Sequence, residues 1–399
     1  MTAPLIVIEE VDRGAVAPAG FALWQLGFRP FYLLASVFAA LSIGLWAAQV
    51  AGWLGHAYLP GPLWHAHEML FGFVLAVVVG FLFTAGRNWT MRPTPSGTLL
   101  AALVALWVAG RVLVLTPFGW ASAAANAAFP LAAAAALAVP FWAARSRRNY
   151  FFVALLACMG IANLAIHLSA LGVIDLPPFL GLRVGLDMML FIMSVMAGRV
   201  IPMFTNNGVP GAGAARHAGV ERAALASVLL LLAADAFGLQ GAAVAVIAVA
   251  GMLAHGLRWA LWRPWKTARA PLVWSLHVAY AWIPVHLALR AAAEVGSIGP
   301  SAATHALTAG AAGGLIIAMM TRTTRGHTGR PLRADRFDVA SFTFVLLAAL
   351  VRVIVPVAAP AWTVAAIVAS AALWSTAFAL FAARYGAALI RPRLDGQPG

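Results

Sequence analysis

The chain has 399 residues, of which 63% are hydrophobic and only 10% are charged, and its formal net charge at pH 7 is +14. Soluble domains carry about 25% charged residues, so this composition excludes a soluble globular protein and indicates a surface that mostly faces lipid. The positive charge does not indicate nucleic-acid binding, because Lys and Arg occupy short gaps between apolar runs and form no single basic face. We therefore expect contact with the lipid bilayer and none with nucleic acid.

Twelve apolar stretches are long enough to span a bilayer as a helix, which takes about 20 residues. The predicted spans are 31–52, 67–86, 98–116, 122–144, 150–172, 182–201, 223–239, 241–262, 272–293, 302–321, 338–358 and 361–383. Residues 1–20 lack the pattern of a cleaved signal peptide. The sequence predicts an all-α polytopic membrane protein, with a cytoplasmic segment 1–30, a single transmembrane domain 31–384 and a cytoplasmic tail 385–399.

The distribution of Lys and Arg predicts the orientation of these helices. Of the 26 basic residues, all but Arg111, Arg183, Arg290 and Arg352 fall in gaps on one side of the predicted bundle. Positively charged loops stay in the cytoplasm. We therefore predict a bacterial cytoplasmic (inner) membrane protein with both termini in the cytoplasm.

The four exceptional arginines lie near the outer ends of predicted helices. They either extend toward the outer headgroups or converge on an anion such as the carboxylates of a bound cofactor. Arg183 also has Asp187 four residues ahead, a spacing that allows the two to pair with each other. Asp235, the other intramembrane aspartate, has no evident partner in the sequence.

Five histidines are predicted to lie at one level, in the outer half of the membrane: His65, His67, His167, His286 and His305. Ionisable residues inside a bilayer are costly and usually functional. His277 is the exception, about 13 Å below His286 at 1.5 Å per residue. Because the chain has one cysteine, imidazole is the available ligand for a metal or a heme. The alternative is that each histidine bonds a polar neighbour.

His65 and His67 are two residues apart, so a helix points them in nearly opposite directions. We predict that His67, the deeper of the two, faces the interior. Asn163 lies one turn before His167 and is predicted to orient that ring. Met189, Met193 and Met196 form a stripe that suits packing more often than copper binding. Glycines 310, 313 and 314 predict close helix approach, or room for a flat macrocycle.

Several ordered strings resemble the NnrS family across about residues 21–350. They are Phe28-Arg29-Pro30-Phe31, His65-Ala66-His67-Glu68-Met69-Leu70-Phe71-Gly72, Gly198-Arg199-Val200-Ile201-Pro202-Met203-Phe204-Thr205, Pro271-Leu272-Val273-Trp274-Ser275-Leu276-His277, and the run from Met320 to Pro331. The segments Trp282-Ile283-Pro284 and His305-Ala306-Leu307-Thr308 also fit.

The resemblance implies a bacterial twelve-helix membrane protein that contains heme and copper and responds to nitric oxide during denitrification and nitrosative stress. It assigns no reaction, so catalytic residues stay unknown. The histidines within matching strings are His65, His67, His277, His305 and His327, and these are the candidate metal ligands. Nitric oxide is the candidate ligand, and a membrane redox partner is a further expectation.

The predicted layout also resembles that of the heme–copper oxidases, in which histidines of the second and tenth helices hold a heme. By this analogy, His67 and His305 are the axial ligands, and Arg290 or Arg352 binds the propionates. No adjacent histidine pair of an oxidase copper centre is present. If both histidines ligate permanently, the iron is closed and the role shifts to electron transfer.

Two other functions fit the same sequence. Twelve helices with a basic gap of about twenty residues after the sixth also suit a transporter, although no matching half-repeats or broken helix pairs are found. The protein could equally be a non-catalytic partner that protects other metalloproteins. Heme binding by the outer histidines separates the first function from both alternatives.

Overall fold

The computed structural model describes residues 20–55 and 58–397. Within these ranges the chain folds into twelve long helices and no strands. In chain order they are α1 (Phe28–Val50), α2 (Gly61–Thr90), α3 (Gly97–Leu113), α4 (Gly119–Ala143), α5 (Tyr150–Ala170), α6 (Pro178–Gly208), α7 (Ala218–Ala236), α8 (Ala242–Leu261), α9 (Pro271–Glu294), α10 (Pro300–His327), α11 (Arg336–Ala358) and α12 (Thr363–Ile390). The predicted all-α polytopic fold is confirmed.

Ten of these helices are long and apolar enough to cross a membrane. The other two are α3, which has 17 residues, and α7, which carries Glu221, Arg222 and Asp235 within its 19 residues. Large hydrophobic side chains such as Val139, Trp142 and Val246 are exposed around the bundle. A helix satisfies its own backbone hydrogen bonds, so such a surface can face lipid without cost to the main chain.

Both ends of the described chain lie on one face of the bundle, because the Ala22 amide donates to the Ile390 carbonyl at the end of α12. We call this the terminal face and the opposite one the far face. The predicted segments 1–30 and 385–399 are described only in part, since residues 1–19, 398 and 399 lie outside the described residues. The same holds for the histidine at position 56.

Two helices contain a π-helical segment, in which hydrogen bonds join residues five apart. In α2 it covers Glu68–Val74, and in α10 it covers Ala306–Gly313. Each segment begins directly after a histidine, His67 in one case and His305 in the other. Such segments are rare and occur often at functional sites. The predicted start of the second helix at residue 67 was wrong, because the helix begins six residues earlier, where Gly61 and Pro62 suit a first turn.

The glycines of α10 allow the close approach that the sequence predicts. A Cβ atom at Gly310 would overlap the Trp282 ring of α9, and one at Gly313 would overlap the Trp374 ring of α12. At Gly314 it would lie 2.6 Å from the Ala279 side chain. Tryptophan rings therefore fill the space beside Gly310 and Gly313 that was the alternative predicted position of a flat macrocycle. Close packing fixes α10 at the centre of the bundle.

Candidate functional site: a histidine-lined cavity in the far half

A cavity opens in the far half of the bundle, between α1, α2, α6, α10, α11 and α12. Its empty volume, counted to its open mouth, is about 1030 Å³. Both π-helical segments contribute to its wall, α2 through Met69, Leu70 and Phe73 and α10 through Leu307 and Thr308. The lining is mostly apolar, which is the usual character of a cofactor pocket. We call it the far cavity.

His65 of α2 and His305 of α10 face each other across this cavity. Their ring centroids are 6.3 Å apart and their planes differ by 7°. On its other side, His65 stacks against Trp46 of α1, with centroids 4.8 Å apart and planes 9° apart. Three nearly parallel rings from three helices therefore lie side by side. The indole holds the orientation of the His65 ring by packing alone.

The hydrogen bond of His305 fixes which of its nitrogens can act as a ligand. Its Nδ1 lies 2.8 Å from the carbonyl oxygen of Ser301, one turn earlier in α10. A carbonyl oxygen only accepts, so Nδ1 carries the proton and Nε2 keeps its lone pair. Metal-binding histidines commonly donate their second ring nitrogen in this way. His305 is thus held in the tautomer that a metal requires.

The spacing of the two rings matches that of a shared metal. A metal–imidazole bond is about 2.0–2.1 Å long, so two nitrogens that ligate one ion lie about 4 Å apart, and adding about 1 Å from each nitrogen to its ring centre gives roughly 6 Å. The observed centroid distance of 6.3 Å agrees with this value. The centroid distance alone would thus allow one ion between the rings, but the ring planes are parallel and stacked, so the rings would have to rotate for both to present a nitrogen to it.

Arg352 is the arginine that lines the far cavity together with these histidines. Its Nη2 donates to the hydroxyl of Ser301, 3.1 Å away, so Ser301 contacts both His305 and Arg352. Within the described residues, no carboxylate lies within ion-pair distance of Arg352. Arg352 thus lies beside two of the candidate histidines, and its role toward a cofactor stays a prediction.

The other three outer arginines are already paired with acids of the chain. Arg290 donates from both Nη atoms to Asp235, at 2.6 and 2.7 Å. Arg183 lies 3.8 Å from the same carboxylate. Arg111 donates to Glu68 at 2.6 Å and also contacts the Asn126 amide oxygen. The expected pairing of Arg183 with Asp187 was wrong, since α7 brings Asp235 to α9 and α6.

His67 belongs to a different, closed cluster beside the far cavity. Its Nδ1 lies 2.8 Å from the Glu68 carboxylate and its Nε2 lies 2.8 Å from the Asn163 oxygen. The ring is fully buried and packs edge-on against His167, with centroids 4.9 Å apart. The structure thus places His67 in the interior as predicted, but it is His65 that faces His305.

The five outer histidines occupy three neighbouring places in the bundle. His65 and His305 line the far cavity, and His67 pairs with His167. His286 donates from Nδ1 to the Ala303 carbonyl oxygen, 2.8 Å away, so Nδ1 is the protonated nitrogen. Asn163 bonds His67, not His167 as predicted; the His167 Nδ1 instead lies 3.3 Å from the Tyr58 hydroxyl.

The remaining histidines of the predicted metal set lie elsewhere. His277 bonds the Thr205 hydroxyl at 2.7 Å, and His327 packs against Phe28 at the terminal face, with ring centroids 5.5 Å apart. Over residues 20–55 and 58–397, no group of three or more His, Cys, Asp or Glu side chains is arranged to hold a metal ion. The structure does not bring the five predicted metal ligands together.

Some residues of the site carried no strong signal in the sequence. Trp46 and Ser301 support the two cavity histidines, and Glu68 neutralises Arg111. Ser301 could have been found from its position four residues before His305 on the same helix face. Glu68 was overlooked as an intramembrane acid because the predicted start of its helix was too late. Trp46 lies on another helix, and nothing in its local pattern indicates its contact.

Comparison with known proteins places the chain in one family. A family model described as NnrS protein matches residues 22–393, nearly the whole chain. No curated protein matches this sequence. The match therefore carries the family assignment without a characterised relative from which a reaction or a ligand could be read.

Proposed function

This chain belongs to the NnrS family, and we propose that it is a heme-binding membrane protein of the nitric oxide response. In this proposal, His65 and His305 would hold the heme iron. The observation that carries it is the pair of imidazoles, 6.3 Å apart and nearly parallel, that face each other in the far cavity. This replaces the predicted pair of His67 and His305, because both ring nitrogens of His67 are engaged by Glu68 and Asn163.

The chemistry of the donor set fits a heme better than a bare metal ion. Two neutral imidazoles without a third protein ligand leave an ion undercoordinated, whereas a porphyrin supplies four nitrogens of its own. The mostly apolar wall of the cavity is the kind of lining that suits a macrocycle. Arg352 would bind a propionate, since guanidinium groups bind carboxylates with two parallel hydrogen bonds.

When bound, a heme would supply one-electron exchange while both imidazoles hold it, and a site for nitric oxide only where one imidazole is released. The chain's own residues would set which of these occurs. The Ser301 carbonyl holds the proton of His305 on Nδ1, which keeps Nε2 directed to ligation. Trp46 limits rotation of His65. The apolar wall excludes water, so a small uncharged molecule such as nitric oxide has access that ions lack.

The test is heme retention by detergent-purified variants. We expect the wild-type protein to show a Soret band with about one heme per chain, and His65→Ala and His305→Ala each to lose it. A band shift when nitric oxide is added to the reduced wild-type protein would show that one imidazole can be released, and an unchanged band would show a closed, electron-transfer heme. His277→Ala is the matched control, because it removes a buried histidine that lies outside the far cavity and bonds Thr205.

Each outcome has a definite meaning for the ligand assignment. Loss of heme in His67→Ala but not in His65→Ala would restore the pairing predicted from sequence. Full heme retention by both His65→Ala and His305→Ala would contradict the proposed site. Equal loss in His277→Ala would show that the variants act through folding. Survival of cells that carry His305→Ala under a nitric oxide donor would then test the biological role.

The proposal also covers copper content, membrane location and a redox partner. Copper stays a prediction from the family resemblance, and metal analysis of the purified protein tests it directly. The multi-pass helices and the basic terminal face support an inner-membrane protein with cytoplasmic termini. The far cavity would then lie toward the periplasm. An electron donor in the membrane is required only if the iron cycles between oxidation states.

A further inference from the structure

The terminal face carries two arginine clusters that differ in their balance of charge. In the first, Arg325 lies 2.6 Å from Asp338 and 2.9 Å from Asp335, and Arg384 lies 2.8 Å from Asp335. Two arginines thus meet two carboxylates. Tyr385 adds a hydrogen bond to Asp338 at 2.7 Å. The chain neutralises this cluster by itself.

The second cluster has more positive charge than the acids of the described residues neutralise. It joins the start of α1, the end of α2, the end of α10 and the C-terminal tail, and its members are Arg29, Arg87, His327, Arg330 and Arg393. His327 packs against Phe28, the neighbour of Arg29, and the Leu394 amide donates to the Thr328 carbonyl, which brings the tail that carries Arg393 against the segment that carries Arg330. The positive charge of Arg87 also acts on His327. We call it the terminal-face arginine cluster.

Asp395 is the acid that accompanies this cluster among the described residues. Its carboxylate receives two hydrogen bonds from Arg393, at 2.6 and 2.8 Å. This bond from Arg393 lowers the pKa of the Asp395 carboxyl, so its negative charge is present at neutral pH. Because this carboxylate is already bound to Arg393, no carboxylate of residues 20–55 or 58–397 forms an ion pair with Arg29, Arg87 or Arg330.

Arg29 gives the strongest indication that a ligand is needed. Its side chain is fully buried. The Nη1 atom donates to the carbonyls of Leu389 and Arg391, at 3.1 and 2.7 Å, and so caps the end of α12. Its Nε and Nη2 atoms are buried and have no hydrogen-bond partner in the part of the chain that the structure describes. A buried cation with unsatisfied donors is costly unless an opposite charge binds it.

The free edge of Arg29 also indicates the chemical class of that ligand. Nε and Nη2 are the two donors that point in parallel from one side of a guanidinium, the edge that binds an oxyanion through two hydrogen bonds. Further arginines at Arg87 and Arg330 suit a group with more than one negative charge. Basic pockets between helices on the cytoplasmic side of membrane proteins bind lipid headgroups of this kind.

We propose that the terminal-face arginine cluster binds a phosphate group, with the Nε–Nη2 edge of Arg29 as its central contact. The group comes either from an anionic lipid headgroup or from free inorganic phosphate. The site gives a role to two strings of the sequence that the heme leaves unexplained, Phe28-Arg29-Pro30-Phe31 and the run from Arg322 to Pro331. It is independent of the proposed heme.

The experiment measures ligand-dependent thermal stability of the delipidated, detergent-purified full chain. One arm titrates inorganic phosphate and the other titrates short-chain phosphatidic acid, each at constant ionic strength. We expect a saturable rise in melting temperature in at least one arm. A response to phosphate identifies a free anion site, and a response to phosphatidic acid alone identifies a lipid headgroup site.

Variants separate this site from general charge effects. Arg87→Gln and Arg330→Gln should weaken the response at least tenfold, and both avoid the helix-capping bond of Arg29, so they should fold. Arg148→Gln, an exposed arginine on the same face, is the matched control and should leave it unchanged. Absence of a saturable response in both arms, or equal weakening by Arg148→Gln, would overturn the proposal.

Discussion

Two histidine pairs lie side by side in the far half of the bundle, and they differ in whether their nitrogens are available. His65 and His305 face each other across an apolar cavity, with the bond of His305 directed away from it. His67 and His167 pack together in a closed cluster, where Glu68 and Asn163 occupy the nitrogens of His67. Predicted depth in the membrane therefore identifies candidate histidines, but the hydrogen-bond partners of each ring decide whether a nitrogen is available to a ligand.

The largest expected effect tests the closed pair. Glu68 is the carboxylate that neutralises Arg111, which is itself buried. Glu68→Ala leaves that guanidinium buried and unpaired, and breaking a buried ion pair from one side costs about 3–5 kcal/mol. We expect a large fall in the free energy of unfolding, measured by thermal denaturation in detergent, while the protein that remains folded keeps its heme.

Glu294→Ala is the control for this prediction. It also removes a carboxylate from a buried arginine, since Glu294 lies 3.4 Å from Arg290. Arg290 keeps its two bonds to Asp235, so the expected loss of stability is smaller. If both variants lose the same stability, the closed cluster is not held by its ion pair. Selective loss of heme from folded Glu68→Ala would show that the two histidine pairs act as one site.

The second prediction tests the pair that lines the far cavity, His65 and His305. Arg352→Gln removes the cavity arginine and should raise the rate of heme loss about tenfold, because hydrogen bonds to charged groups contribute about 1.5–3 kcal/mol. Heme transfer to apomyoglobin measures that rate. Arg183→Gln is the control, because Arg183 lies near Asp235 at 3.8 Å. A rate unchanged by Arg352→Gln would remove this arginine from the proposed site.

The sequence predicted which histidines lie in the same half of the bundle, but not the residues to which they are hydrogen-bonded. Hydropathy and basic gaps were sufficient for the helices, because each spanning helix must be apolar over its own length. The pairing of Arg290 with Asp235 joins residues 55 positions apart on α9 and α7. The contact of His67 with Asn163 joins positions 96 apart. Such contacts depend on how helices rotate against each other, and local periodicity does not record that rotation.

One specific error concerns His65 and His67, which both lie in the regular α-helical segment Gly61–His67, before the π-helical segment begins. A regular helix sets the direction of each side chain from its neighbours, and this rule predicted that one histidine of the 65–67 pair would face the interior. In the structure His65 lines the far cavity and His67 contacts α5, so both side chains face other helices of the bundle. The cavity wall includes two π-helical segments, Glu68–Val74 and Ala306–Gly313, whose helical pitch differs from that of an α-helix. A 3.6-residue period cannot predict where such a segment begins.

The smallest expected effect concerns His167, the outer member of the closed pair. The Tyr58 hydroxyl lies 3.3 Å from both the Nδ1 and the carbonyl oxygen of His167, and the two rings are parallel within 6°. Hydrogen bonds of this length are weak, and Tyr58→Phe keeps the ring packing. We therefore expect a loss of about 0.5–1 kcal/mol, a small fall in melting temperature, and an unchanged Soret band.

Tyr150→Phe is the matched control for Tyr58→Phe, because Tyr150 is also partly buried and packs against Trp142, with ring centroids 5.8 Å apart. Its removal should leave the melting temperature within error. A shift of the Soret band in Tyr58→Phe would contradict the separation of the two pairs, since Tyr58 contacts only the closed one through His167. That outcome would mean that a change at His167 alters the heme environment in the far cavity. The shared depth of the histidines would then predict function better than their hydrogen-bond partners do.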